Sequence, residues 1–190
     1  MNFKIELIDL RERYKHERKQ ILKIIDKTLK KGNLILTKEL EEFEKEVCKY
    51  TGAKYCLGLN SGTDALMMSL WASGIKKGDE VITSSLSFIA SAGAIAHIGA
   101  IPIFVDVKDD LNINPDIIEK YISKKTRAII PVHWTGRICD MTKINKIAKK
   151  NNLVVIEDAA QGMGSYYKNK HAGMFSKIAA FSSHPLKNLN

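Results

Sequence analysis

The stretch Leu153-Val154-Val155-Ile156-Glu157-Asp158-Ala159-Ala160-Gln161 decides how this chain is read. Four apolar residues end abruptly in two carboxylates, followed by small residues. So short and continuous an apolar run fits a strand covered on both faces. The carboxylates then fall at its carboxyl end, where each must be solvated, hydrogen-bonded or paired. Working outward, comparable runs occur at Tyr55–Leu59, Val81–Thr83, Pro102–Val105, Ala128–Val132 and Ile178–Phe181. Helix-period segments lie between most of them, at Thr63–Ser73, Phe88–Ile98, Pro115–Ser123 and Thr142–Asn151. Asn114-Pro115 is a good helix entry, with Asn as N-cap and Pro at the first helical position. This rhythm predicts an α/β fold, a three-layer sandwich around a mostly parallel sheet.

Ahead of these units, the pattern is helical. Ile21, Leu22, Ile24, Ile25 and Leu29 form a stripe in a helix over 9–31, which Gly32 ends. A second helix covers 38–50, with Leu40, Phe43, Val47 and Tyr50 on one face and Thr37 as N-cap. The expected division is an N-terminal helical segment, 1–50, and a large domain, 51–190.

Composition narrows the function classes. The chain has 190 residues, 45% hydrophobic and 27% charged, which is ordinary globular usage. No apolar run reaches the roughly 18 residues of a membrane span. The charged N-terminus has no secretory pattern. Cys48, Cys56 and Cys139 form no CxxC or paired framework, and the five histidines have no metal-ligand spacing. A reducing cytoplasm is the expected location. The net charge of +9 comes from lysines scattered among acids, as on solvated helix faces, so nucleic acid is not an expected partner.

Three polar clusters sit where open α/β sheets bind ligands, outside the carboxyl ends of strands. Asn60-Ser61-Gly62-Thr63 joins a strand to a helix. Gly62 lets backbone approach a ligand, and the helix start offers N–H groups suited to phosphate. The same residues also serve ordinary N-capping. Neither a P-loop nor a dinucleotide fingerprint is present. Glu157-Asp158 could hold a metal, orient a histidine or meet a cationic cofactor nitrogen, or cap a helix. Hard ligands for a metal are missing nearby. In Phe181-Ser182-Ser183-His184-Pro185-Leu186-Lys187-Asn188, Lys187 follows a strand and a proline turn. A lysine in a desolvated site can become a nucleophile toward carbonyls; otherwise it is a loop lysine. A phosphate cradle, a strand-end acid and a late lysine together suit pyridoxal 5′-phosphate, which has a phosphate, a pyridine nitrogen and an aldehyde.

In this order and spacing, these motifs resemble the DegT/DnrJ/EryC1/StrS family of pyridoxal-phosphate-dependent sugar aminotransferases, of aspartate-aminotransferase-like fold. The resemblance also includes Ile8-Asp9-Leu10, Phe43-Glu44, Pro131-Val132-His133, Gly136 and Asp140-Met141. It implies that Lys187 links to the cofactor aldehyde and moves the reacting proton. Asp158 would pair with the ring nitrogen, while Gly62, Thr63 and Ser182 would hold the phosphate. Phe88 would stack on the ring, and Gln161 would contact its face or its 3-hydroxyl side. The implied reaction moves an amino group from a donor, glutamate, to a keto group of a nucleotide-linked sugar, for surface polysaccharide or glycan synthesis. The family also implies a homodimer. Lys187, where the dehydratase branch has His, argues against that branch. Ser183 stands where the family has Phe, and Trp134-Thr135 replaces a Leu-Tyr-type pair. The family continues past the lysine into a small C-terminal domain, so this chain reads as a truncated, N-terminal portion. The alternative is a catalytically incomplete module that binds cofactor or a partner.

Overall fold

The structure, a computed structural model, describes residues 8–188. The chain divides into two compact units, Met1–Glu46 and Val47–Asn190.

The first unit contains α1 (Leu10–Lys31). Asp9 caps it, its side chain accepting the Arg11 and Glu12 N–H groups at 3.0 Å each. Gly32, at φ 68°, ends it in the left-handed conformation, and its N–H closes on the Leu29 carbonyl. No α1 residue is buried. The next helix, α2 (Lys38–Thr51), begins after Thr37, whose Oγ1 accepts the Leu40 N–H at 3.4 Å.

The second unit is built on five parallel strands: β1 (Glu80–Ser84), β2 (Ile101–Val105), β3 (Thr126–Ile130), β4 (Val154–Asp158) and, last in the chain, Ile178–Ala180. A two-stranded hairpin, β5 (Tyr166–Tyr167) with β6 (Lys170–His171), precedes that last strand, which is therefore β7. The order across the sheet is β2-β1-β3-β4-β7. All four pairings are parallel. Helices α3 (Gly62–Ala72) and α4 (Ala90–His97) pack on one face. Their cluster joins Leu66, Leu70 and Ile95 to Val81, Ile130, Ile156 and Ala180. Helix α5 (Met141–Lys150) covers the other, where Met141 and Ile144 meet Ile82, Ile129 and Val155. The three-layer α/β sandwich is as the apolar runs require, and strand alternation assigns each side chain to a layer.

Two expected elements differ. Tyr55–Leu59 belongs to neither sheet, and Tyr55 and Leu57 are 79% and 75% exposed. An apolar run becomes a strand only when it lies in register beside another, and none of the described strands lies beside this one. Pro115–Ser123 shrinks to a single 3₁₀ turn, Ile118–Tyr121. Asn114 does turn the chain, accepting the Asp116 N–H at 3.0 Å. With Ile118 as the turn's single buried residue, little packing holds a longer helix.

The positive charge is dispersed on surface pairs. Lys15 meets Glu12, Lys30 meets Asp26, Lys143 meets Asp116 and Lys150 meets Glu119. Among the described residues, no helix is long and apolar enough to cross a membrane, and no three His, Cys, Asp or Glu cluster as metal ligands would.

Candidate active site

Alternation along β4 separates the two carboxylates that share its end. Val154 and Ile156 face α3 and α4, while Val155 faces α5. Asp158 therefore belongs to the first layer and Glu157 to the second.

Asp158 is 4% exposed. Its Oδ2 accepts a 2.7 Å hydrogen bond from the Ser91 hydroxyl of α4. Its Oδ1 accepts the Ala160 N–H at 3.2 Å. Burial raises its pKa above the ordinary carboxylate value, against the pull of these two donors. Asp158 lies opposite Ala180 at the end of β7, so the segment that leads to Lys187 leaves the sheet at the same end.

Glu157 performs the histidine-orienting role. Its Oε2 accepts His133 Nε2–H at 2.9 Å, and both side chains are fully buried. The Cys139 N–H donates to His133 Nδ1 at 3.3 Å, which leaves Nε2 as the nitrogen that carries hydrogen. Glu157 also accepts the Gly173 N–H at 2.8 Å, the Ser176 N–H at 2.7 Å and the Ser176 hydroxyl at 2.8 Å. Burial pushes Glu157 up, but His133 and these donors outweigh it and hold its pKa below the ordinary value. Gly173 has φ 85°, and a Cβ there would lie 2.6 Å from the Phe181 ring. Glycine is therefore required where the chain turns to present that N–H.

The phosphate-cradle candidate lies at the start of α3. Ser61 caps the helix, its hydroxyl oxygen accepting the Asp64 N–H at 3.0 Å. Gly62 lies against the segment after β7: a Cβ there would be 3.0 Å from Ser182 Cβ and 3.3 Å from the Phe181 carbonyl oxygen. The structure thus brings Gly62, Thr63 and Ser182 to one place, although 119 residues separate Thr63 from Ser182. First-turn N–H groups have no intrahelical partner and favour an anion.

Lys187 is half-buried in a turn, its N–H donating to the His184 carbonyl at 2.8 Å. The Ser182 hydroxyl accepts the His184 N–H at 3.3 Å, joining this turn to the cradle. Gln161 Oε1 accepts the Thr135 N–H at 3.1 Å, which leaves its amide nitrogen as the free donor. Phe88 lies just before α4 and is 66% exposed.

Ser91 and His133 are polar groups of this region to which the motifs assign no chemical role. Ser91 sits in the apolar-looking segment Ile89–Ile98, where a lone serine gives no signal. His133 and Glu157 were visible as residues, but not as partners.

The whole strand-end arrangement can hold an anion beside α3, a cation against Asp158 and an electrophile near Lys187. The model of the DegT/DnrJ/EryC1/StrS aminotransferase family matches residues 15–190. The chain is 44% identical over 179 residues to dTDP-3-amino-3,6-dideoxy-alpha-D-galactopyranose transaminase of Aneurinibacillus thermoaerophilus, covering 94% of this chain and 49% of that protein. It superposes with TM-score 0.93 and 38% identity on the crystal structure of S. venezuelae DesV in complex with ketimine intermediate, covering 98% of this chain and 50% of that one. It superposes with TM-score 0.86 and 39% identity on ntda from Bacillus subtilis with bound cofactor PMP, covering 92% and 40%. The chain spans about half the length of the curated relatives it matches.

Proposed function

Because the chain belongs to the DegT/DnrJ/EryC1/StrS aminotransferase family, we propose that it is the cofactor-binding part of a pyridoxal-phosphate-dependent sugar aminotransferase. The amino donor is glutamate and the acceptor is a keto group of a nucleotide-linked sugar, destined for surface polysaccharide or glycan. The whole enzyme is a cytoplasmic homodimer. One observation carries this reading: a buried Asp158, the Gly62–Ser182 contact and Lys187 all lie at the carboxyl end of the same parallel sheet.

The residues fit the cofactor. Gly62 is a cradle that a Cβ would fill, and the N–H groups of Gly62 and Thr63, with the Ser182 hydroxyl, would hold the phosphate. Asp158 is a carboxylate whose charged form is disfavoured by burial, so a cationic ring nitrogen relieves it. Phe88 would lie on the ring. The amide nitrogen of Gln161 is the group available to the ring's hydroxyl side. When bound, pyridoxal phosphate supplies an aldehyde and an electron-withdrawing ring that stabilises negative charge on the substrate carbon. Lys187 Nζ would be the amine for that aldehyde and the group that takes and returns the proton. Asp158 would keep the ring nitrogen protonated.

The test is spectroscopic. Pyridoxal phosphate added to the chain should produce a visible band that borohydride abolishes, with the label recovered on Lys187. In Lys187→Ala the band should be absent. A band that survives this substitution overturns the assignment. Amino transfer from glutamate is measured separately. A chain that forms the band without turnover holds cofactor but does not complete the reaction.

A further inference from the structure

Asp158 is the one acid in the proposed cofactor site, and its conformation is set from α4. The Ser91 hydroxyl lies 2.7 Å from Asp158 Oδ2, with Ser91 only 2% exposed. Behind it, Ser87 Oγ lies 2.7 Å from Ser91 Oγ. A hydroxyl has one hydrogen to give. If Ser91 donates to Asp158, the Ser87–Ser91 bond must run from Ser87 to Ser91. The order is then Ser87 to Ser91 to Asp158, and it ends on the carboxylate. The second oxygen, Oδ1, is held independently by the Ala160 N–H at 3.2 Å. The backbone is fixed too, since the Asp158 N–H donates to the Pro131 carbonyl at 2.9 Å and its carbonyl accepts the His133 N–H at 3.0 Å. The freedom left to this residue is rotation of the carboxylate about its side-chain bonds. Of its two side-chain restraints, Ser91 supplies the shorter and better buried.

We propose that Ser91, supported by Ser87, is a positioning residue that fixes the Asp158 carboxylate toward the cofactor's ring nitrogen and keeps the shared proton on that nitrogen. The inference rests on the cofactor reading above. Without the Ser91 hydrogen, Asp158 loses a donor at a site that water does not reach, so the carboxylate becomes a stronger base. The proton shared with the ring nitrogen then moves toward the acid, and the ring withdraws electrons less strongly. A nitrogen conjugated to that ring becomes harder to deprotonate. Other ionisable groups also bear on Asp158. Lys187 acts from the turn after β7 and His133 from the segment after β3, while Glu157 is next to it on β4 and directed to the opposite face. None of these is altered by changing Ser91.

The experiment titrates the visible absorption of the 190-residue chain loaded with pyridoxal phosphate against pH, and measures the dissociation constant of the cofactor by fluorescence. Ser91→Ala, Ser91→Thr, Ser87→Ala and Asp158→Asn are compared with the unsubstituted chain. A lost charge-assisted bond of this kind should move the spectral midpoint of Ser91→Ala up by about half to one pH unit and weaken binding about three- to tenfold. Ser91→Thr, which keeps the hydroxyl, should restore both values. Ser87→Ala should shift the midpoint in the same direction but less, and Asp158→Asn should shift it most. A purely structural role for Ser91 would lower stability without moving the spectral midpoint. A midpoint unchanged in Ser91→Ala, with Asp158→Asn clearly shifted, overturns the Ser91 inference and leaves the cofactor reading intact. Absence of any band in the unsubstituted chain, or no response to Asp158→Asn, overturns the cofactor reading and this inference with it.

Discussion

Replacing Glu157 with glutamine tests the buried framework under the site without needing cofactor. Glu157 is an acceptor for four bonds: Oε2 takes His133 Nε2–H and the Gly173 N–H, and Oε1 takes the Ser176 N–H and hydroxyl. Glutamine keeps one oxygen. If that oxygen faces His133 and Gly173, the new NH₂ faces Ser176. The Ser176 hydroxyl can rotate to accept from it, but the Ser176 N–H cannot and is left unpaired. The opposite orientation would strand two N–H groups, on His133 and Gly173, so the first is adopted. A buried N–H without a partner costs about 1–3 kcal/mol. The two bonds that survive also lose their charge assistance, which halves their strength. Together these give about 2–4 kcal/mol of destabilisation. Glu157→Leu leaves three N–H groups unpaired and should be worse than Glu157→Gln. The assay is urea unfolding of both variants against the unsubstituted chain at neutral pH. Repeating it in acid adds a sign. The folded pKa of Glu157 lies below the ordinary 4.5, so its stabilisation is complete above 4.5 and is lost as pH falls through the folded value. The gap between the unsubstituted chain and Glu157→Gln should therefore narrow in acid. A loss below about 1 kcal/mol, or a leucine variant more stable than the glutamine variant, refutes the four-bond clamp.

Other outcomes follow from single contacts. Gly62→Ala places a methyl 3.0 Å from Ser182 Cβ, so it should cost about 1–3 kcal/mol of stability. In the same variant, fluorescence titration should show pyridoxal phosphate binding weakened at least about tenfold, since the phosphate group's approach to the α3 N–H groups is lost. Ile82→Ala opens a cavity in the fully buried layer under α5 and should cost about 2–5 kcal/mol in thermal or urea unfolding. Asp9→Ala removes the acceptor for two N–H groups at the start of α1 and should fray its first turn, read as lost helicity by circular dichroism. Asp158 behaves oppositely to Glu157 with pH. Its folded pKa is raised, so folding is favoured most below the ordinary 3.8, and that contribution falls as pH rises toward the folded value. Asp158→Asn should therefore flatten this part of the pH–stability curve.

The apolar runs revealed much of the fold because five of them are strands of one parallel sheet, and its inner strands, covered on both faces, have few alternatives in composition. Two motif residues were legible for a related reason: Asp158 ends β4, and Lys187 follows β7. Tyr55–Leu59 is one place where composition does not decide the element. Its composition is that of a strand, but strand formation needs a neighbour, and a run of apolar residues does not say whether one is present. Pro115–Ser123 is another, since a good helix entry does not guarantee enough buried side chains to sustain the helix.

What the sequence determined by itself was the layered α/β architecture and the positions of Glu157-Asp158 and of the segment from Ser182 to Lys187 relative to their own strands, because alternation and periodicity are local properties of the chain. Only the tertiary structure decided which clusters meet. It set Ser182 against Gly62, and it gave Glu157 to His133 and Asp158 to Ser91. Adjacent residues of a strand point to opposite layers, and their partners come from segments far apart in sequence, brought together by the winding of helices over the two faces of the sheet.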